Sequence, residues 1–217
     1  MGVTAMNRLV TAARRHGPGG LPLAASRRLA AVARDRRERT LEQVFDRRRG
    51  IDTAGILRAG ETPYQPVHPA AFREFMSYVP ERETFVDIGS GRGRALILAI
   101  EHGFRQAVGV ESDAEHHRIA TDNVRCYGSG SIRLVHGDAR EFVFPAGPLV
   151  IFIYNPFPRV VMETFVQRVP PDAWLIYEAP LDRELFDARF ELVAERTERA
   201  GASPRRPRFA IYRTGRS

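Results

Sequence analysis

An α/β fold with a mostly parallel sheet covered by helices on both faces is what this sequence predicts, and three observations predict it. From Glu83 onward, short apolar runs alternate with amphipathic stretches, the signature of consecutive strand–helix units. The most apolar run in the chain, Leu149-Val150-Ile151-Phe152-Ile153, has the continuous character of a central strand buried on both faces. The last two apolar runs, Phe190–Glu195 and Arg208–Arg213, alternate and are separated by a polar loop rich in Arg, Gly and Pro, so they read as a hairpin and not as another βαβ unit. A chain of 217 residues accommodates one such domain of about 150 residues and leaves extra chain for an arm.

In order, residues 1–44 are rich in Ala and Arg with spaced aliphatics (Leu9, Val10, Leu21, Leu23, Leu29, Val32, Leu41, Val44). They predict two amphipathic helices broken at Gly17-Pro18-Gly19-Gly20. The first carries no acid before Asp35, as organelle-targeting segments also do; a helical arm is the more ordinary explanation. Asp46 to Pro69, with Gly50, Gly55, Gly60, Pro63, Pro66 and Pro69, reads as a loop zone. Helical spacing resumes over Ala70–Val79 through Phe72, Phe75, Met76 and Val79. The expected alternation is then strand Thr84–Ile88, helix Arg92–His102, strand Gln106–Glu111, helix Ala114–Tyr127, strand Ser131–His136, strand Pro148–Tyr154, helix Val160–Val169 and strand Ala173–Tyr177. The division expected is an arm and loop segment over 1–69 and a catalytic domain over 70–217.

Composition narrows the function classes. No apolar run approaches the roughly 18 residues of a bilayer span, so no membrane-spanning segment is expected. The single cysteine, Cys126, allows no internal disulfide and fits a reducing, cytoplasmic setting. The six histidines are scattered and no CxxC or HExxH occurs, so no metal is expected. Residues 1–60 carry 13 Arg against 5 acids, a net of +8, and residues 196–217 carry 7 Arg against 1 acid, a net of +6. With +7 overall, the body between is −7. Arg-rich ends offer a footprint for nucleic acid or an acidic partner. All 33 basic residues are Arg and none is Lys, which looks like codon bias rather than selection for phosphate binding, and that reading is favoured.

The strongest motif is Asp87-Ile88-Gly89-Ser90-Gly91-Arg92-Gly93, leaving a buried strand and entering a helix. Glycines there let the chain turn sharply and bring backbone N–H groups close to a ligand. The helix N-terminus suits a carboxylate, and Asp87 can hold a cationic amine, so a ligand with an amino acid moiety satisfies both ends. The NAD fingerprint GxGxxG fails, because the third glycine's place holds Arg94 or Leu96; a P-loop fails for lack of Gly-Lys-Ser/Thr. Two more acids end consecutive strands. Glu111 can accept from both ribose hydroxyls, though singly it would read as a solvated strand-end acid. Asp138 can accept from an adenine amino group, or simply cap a helix.

On these residues, 84–158 resembles the class I S-adenosylmethionine (SAM)-dependent methyltransferases. Val86-Asp87-Ile88-Gly89-Ser90-Gly91-Arg92-Gly93 matches their first motif, Gly109-Val110-Glu111 the ribose-binding acid, and Gly137-Asp138-Ala139 the adenine-side acid. The resemblance implies a three-layer, doubly wound sheet of seven strands, the seventh antiparallel, and SAM as cofactor. It assigns SAM to Asp87, Gly89, Ser90, Gly91, Gly93, Glu111, Asp138 and Ala139.

Strand four runs into Tyr154-Asn155-Pro156-Phe157-Pro158 at the switch point of such a sheet, which places Asn155 beside the transferable methyl as both cofactor contact and candidate catalytic residue. The turn is similar to the Asn-Pro-Pro-aromatic motif of amino-group methyltransferases, but with one proline missing, and Asn-Pro also simply ends strands. Phe157 could stack on a planar acceptor. Thr62-Pro63-Tyr64-Gln65-Pro66 is similar to a Tyr-x-Pro segment of some protein lysine methyltransferases, which implies that Tyr64 covers the cofactor; a loop tyrosine pinned by prolines is the alternative. The acceptor stays open between a protein side-chain nitrogen, which is favoured, RNA and a small molecule. A non-catalytic Rossmann-like module binding nucleic acid or a partner is the reading from another class, and the retained acids and glycines speak against it.

Overall fold

A computed structural model describes residues 43–53, 65–154, 157–197 and 208–215. The two helices expected within 1–44 lie outside the described residues. By contacts within the chain, residues 46–217 form one compact unit and residues 1–45 another. Within the described residues no helix is long and apolar enough to cross a membrane.

Seven strands form one sheet: β1 (Thr84–Ile88), β2 (Gln106–Glu111), β3 (Ile132–His136), β4 (Leu149–Tyr154), β5 (Trp174–Glu178), β6 (Glu191–Arg196) and β7 (Phe209–Arg213). Their order is β3-β2-β1-β4-β5-β7-β6. The first five are parallel, and β7 runs antiparallel to both β5 and β6. This is the doubly wound sheet with a terminal hairpin that the alternation predicts. The described helices are α1 (Pro69–Tyr78), α2 (Arg94–Glu101), α3 (Ala114–Tyr127), α4 (Arg159–Arg168) and α5 (Arg183–Asp187).

Strand periodicity sorts side chains onto two faces. On one face Phe85 and Phe152 meet Phe72 and Phe75 of α1, with ring centroids 5.4 Å apart for Phe72–Phe85 and 6.2 Å for Phe75–Phe152. Phe75 continues the ladder to Phe209 of β7 at 5.2 Å. On the other face Val86, Ile88, Ile151, Ile153 and Tyr177 pack against Met162, Phe165 and Val166 of α4 and Phe186 of α5. Both faces of β1 and β4 are therefore buried, which is why those strands read as unbroken apolar runs. At the far edge β6 is largely exposed and carries a register shift between Leu192 and Ala194, which interrupts an otherwise open strand edge.

Three expectations need correction. Helical conformation covers residues 43–49, so the loop zone begins after Arg49; Arg is a good helix former, and Gly50 in the left-handed region (φ 66°) ends the helix. The helix after the glycine loop begins at Arg94 and not Arg92, because Gly93 is left-handed (φ 87°) and belongs to the loop. The five-residue α5 was not anticipated, being too short to show a period.

Residues 46–53 are fastened to the start of α2. Asp46 accepts from the Thr53 amide (2.8 Å) and hydroxyl (2.6 Å), while Arg94 Nε donates to Thr53 Oγ1 at 2.6 Å and Nη2 to Asp46 at 3.4 Å. Asp46, Thr53 and Arg94 are all buried, so the charges are enclosed with their partners. From α3, Asn123 accepts from the Asp52 amide and donates to the carbonyls of Asp52 and Arg92. The segment thereby fixes where the glycine loop ends.

Candidate cofactor and acceptor site

The glycine loop folds back over β2. Gly89 N and Ser90 N both donate to Val110 O, at 2.9 and 3.0 Å, and Gly93 N donates to Ser90 O at 2.9 Å. Gly89, Gly91 and Gly93 all have positive φ (80°, 52° and 87°), which only glycine adopts without strain. The loop lies so close to β2 that a Cβ on Gly109 would stand 2.6 Å from Leu96 Cδ1 and 2.7 Å from Ser90 Oγ. Gly109 is thus the floor on which the loop rests, a role that the sequence reading gave only as part of the motif around Glu111.

Glu111, nearly buried at the end of β2, holds the loop in place. Its Oε2 accepts from Gly91 N at 2.7 Å and its Oε1 from Asp113 N at 2.8 Å. Both oxygens still have lone pairs for further donors. Asp113 in turn caps α3 by accepting from His116 N.

Register places more acids on the face of Glu111. Asp87 pairs with Gly109 on one side and Phe152 on the other, Glu111 lies two residues beyond Gly109, and Glu178 lies two beyond Ile176, the partner of Phe152. Asp87, Glu111 and Glu178 therefore share one face, at the carboxyl ends of β1, β2 and β5. Burial, reinforced by the charge of Glu111, pushes the Asp87 carboxyl well above the usual carboxylate range. Burial and then the charge of Asp87 push Glu178 up to about 8. Among the described residues no Arg forms an ion pair with Asp87 or Glu178. Glu178 Oε2 is buried without a hydrogen-bond partner. The residue after it, Ala179, has φ 49°, and its N–H donates to Arg208 O at 2.8 Å, so the chain turns sharply at the strand's end. With a strand end expected at Tyr177, Glu178 fell outside the candidate residues; its signal is that it repeats the pattern of an acid closing an apolar strand.

The remaining candidates are placed differently. Asp138 is exposed in a turn after β3 and accepts from Arg140 through the backbone N–H (2.7 Å) and the guanidinium (2.6 Å). That partnership draws its carboxyl down to about 2. The capping alternative holds in altered form: the carboxylate caps a turn, not a helix. Ala139 beside it is buried. Tyr64, Asn155 and Pro156 lie outside the described residues. Phe157 is half-buried and packs against the core on the α4 face, a contact that already occupies part of its ring.

No protein-family model matches the chain, and no curated protein is similar to it in sequence. Solved structures share its fold. N-methyltransferase NodS from Bradyrhizobium japonicum WM9 superposes with a TM-score of 0.54 at 11% identity, covering 68% of this chain and 94% of that one. Precorrin-6y C5,15-methyltransferase from Geobacter metallireducens GS-15 gives 0.51 at 16%, covering 77% and 97%. A variant of MtNAS in complex with S-adenosylmethionine gives 0.52 at 14%, covering 67% of this chain and 62% of its own. The chain has the Rossmann-like, doubly wound fold that these structures share.

Proposed function

We propose that this protein is a SAM-dependent methyltransferase. One observation carries the reading: Glu111, Gly109 and the glycine loop form a cradle in which a buried carboxylate, already braced by two backbone N–H groups, ends β2 against left-handed glycines. The donor set fits SAM. The ligand brings an ammonium and a sulfonium, and the buried acids on this face lack cationic partners among the described residues; it brings a ribose diol, and Glu111 retains acceptor capacity. Asp87 would hold the amino group, Gly89, Ser90, Gly91 and Gly93 the amino-acid end, Glu111 the ribose, and Asp138 with Ala139 the adenine. Arg94 supports this over NAD, since the third-glycine position is filled by a buried guanidinium paired with Asp46.

When bound, SAM would supply an electrophilic methyl group for transfer to the acceptor. The protein's part is to orient the acceptor and exclude water. For the acceptor we favour a protein side-chain nitrogen, from the Tyr64 segment and the Asn155 turn; RNA and a small molecule follow. Calorimetric titration with SAM, beside a Glu111→Ala variant and an NADH control, tests the reading. Binding on the order of 10 µM that the variant loses is the expected result. No binding of SAM or S-adenosylhomocysteine by the wild type overturns it.

A further inference from the structure

Glu178 has no task in the cofactor assignment above, yet its position is costly. It is 3% exposed, its Oε2 has no donor, and no Arg among the described residues is ion-paired to it. A carboxylate enclosed in this way is retained at a loss to the fold unless something from outside the chain completes it. Register points it at the site already described, on the same face as Asp87, whose charge it feels.

Topology says which part of that site it serves. Glu111 and Asp138 follow β2 and β3, on one side of β1, and mark the nucleoside side. Glu178 closes β5, two strands from β1 on the opposite side, beyond β4. Tyr154 ends β4 directly opposite Glu178 in the ladder. In a doubly wound sheet the ligand crosses the switch point between β1 and β4, so groups at the end of β5 face what lies beyond the reactive end of the cofactor.

Resting on the SAM reading of the site, we propose that Glu178 is the acceptor-side carboxylate, which holds a protonated amine nitrogen of the methyl acceptor and takes its proton. An N–H bond breaks with its electron pair staying on nitrogen, an O–H bond forms on Glu178, and the amine is left neutral with a lone pair; the carboxylic acid then returns the proton to water. The acceptor class is thereby an alkyl amine, of the kind a lysine-like side chain presents, and not a neutral amide or ring nitrogen, which brings no charge to this position. Enclosure beside Asp87 raises the proton affinity of Glu178, which brings it nearer to that of a desolvated amine and makes the transfer more balanced.

Binding alone tests this. Sinefungin carries an amine on the carbon that replaces the methylated sulfur, so it presents an ammonium where the methyl would stand; S-adenosylhomocysteine has the same body without it. Both are titrated at pH 8.5, where Glu178 is ionised, against the wild type and Glu178→Gln. We expect the wild type to bind sinefungin about tenfold tighter than S-adenosylhomocysteine, and the variant to lose that preference while its S-adenosylhomocysteine affinity stays within about twofold. A preference that survives in the variant overturns the assignment. So does a tenfold loss of S-adenosylhomocysteine, which would give Glu178 to the cofactor's amino-acid end. Should the variant not fold, the wild-type ratio decides, and equal affinities overturn the proposal. A wild type that binds neither compound fails the methyltransferase reading itself, a distinct result.

Discussion

Glu111 and Glu178 are the same residue type in closely similar settings, each ending a parallel strand, each turned to the same face, each nearly buried. Their surroundings differ in one respect. Glu111 receives an N–H from Gly91 and another from Asp113, so the chain itself supplies part of its solvation. Glu178 has a buried oxygen without a donor, while Asp87 is a charged neighbour of both acids. The first is a finished piece of structure with capacity to spare; the second is a half-made interaction. Where two like groups are buried at unlike cost, the expensive one points to a missing partner.

The contrast has consequences that can be measured. The largest is for Glu111→Ala, which removes the proposed ribose acceptor and orphans two backbone donors. SAM affinity should fall by about 100-fold and stability by about 1–3 kcal/mol, read by calorimetry and chemical denaturation. Unchanged SAM binding would separate Glu111 from the cofactor. Next is Gly109→Ala, whose Cβ would collide with Leu96 and Ser90. We expect a loss of about 1–3 kcal/mol together with weaker SAM binding, because the loop must lift off β2. Full stability would mean that the loop does not rest there.

Glu178→Gln should act in the opposite direction. A carboxyl held near 8 when folded and near its ordinary value of 4.5 when unfolded binds more protons in the native state between those values. The free wild type therefore loses stability as pH rises from about 4.5 to about 8, and Gln, which does not titrate, escapes that loss. Asp87 is coupled to Glu178, so the difference between the two proteins reports Glu178 together with its effect on Asp87. Melting curves without ligand should show the variant gaining on the wild type from pH 5 to pH 9, and parallel curves would refute the enclosed, unpaired carboxylate. Smaller still is Ala179→Gly. Relief of a left-handed alanine should stabilise by up to about 1 kcal/mol, unless Gly's greater freedom in the unfolded chain cancels it. Arg140→Ala, which only frees an exposed Asp138, should leave the melting temperature unmoved.

Much of the glycine-loop side of the sheet was legible in the sequence because its features are local. Asp87, the three loop glycines and Glu111 lie within 25 consecutive residues, and turn chemistry alone places them at strand ends. The acceptor side depends on what crosses the sheet. Glu178 meets Asp87 only because β4 lies between their strands, and a lone acid followed by Ala-Pro reads like any strand terminus. Gly109 looks like an ordinary strand residue until the loop is seen resting on it. The anchoring of residues 46–53 by Arg94 and Asn123 was hidden for the same reason, since those partners stand 41 and 71 residues away.

The place of β7 between β5 and β6 sets an order of assembly. The parallel strands β1, β2 and β3 lie within residues 84–136 and pair with one another over short sequence separations, so the glycine-loop side can form while much of the domain is still being synthesised. The outer edge of β5 has no such option. The strand that follows it, β6, does not pair with it, and β5 stays open on that side until residues 209–213 arrive and slide in. The strand that carries Glu178 is thus completed by pairing across 31 to 39 residues, against 22 for β1–β2 and 25 for β2–β3, and such longer-range contacts form more slowly because loop closure must precede them. A nascent chain would be able to form the glycine loop and present Glu111 before it could present Glu178, and an open β5 edge is the place where a refolding chain would mispair.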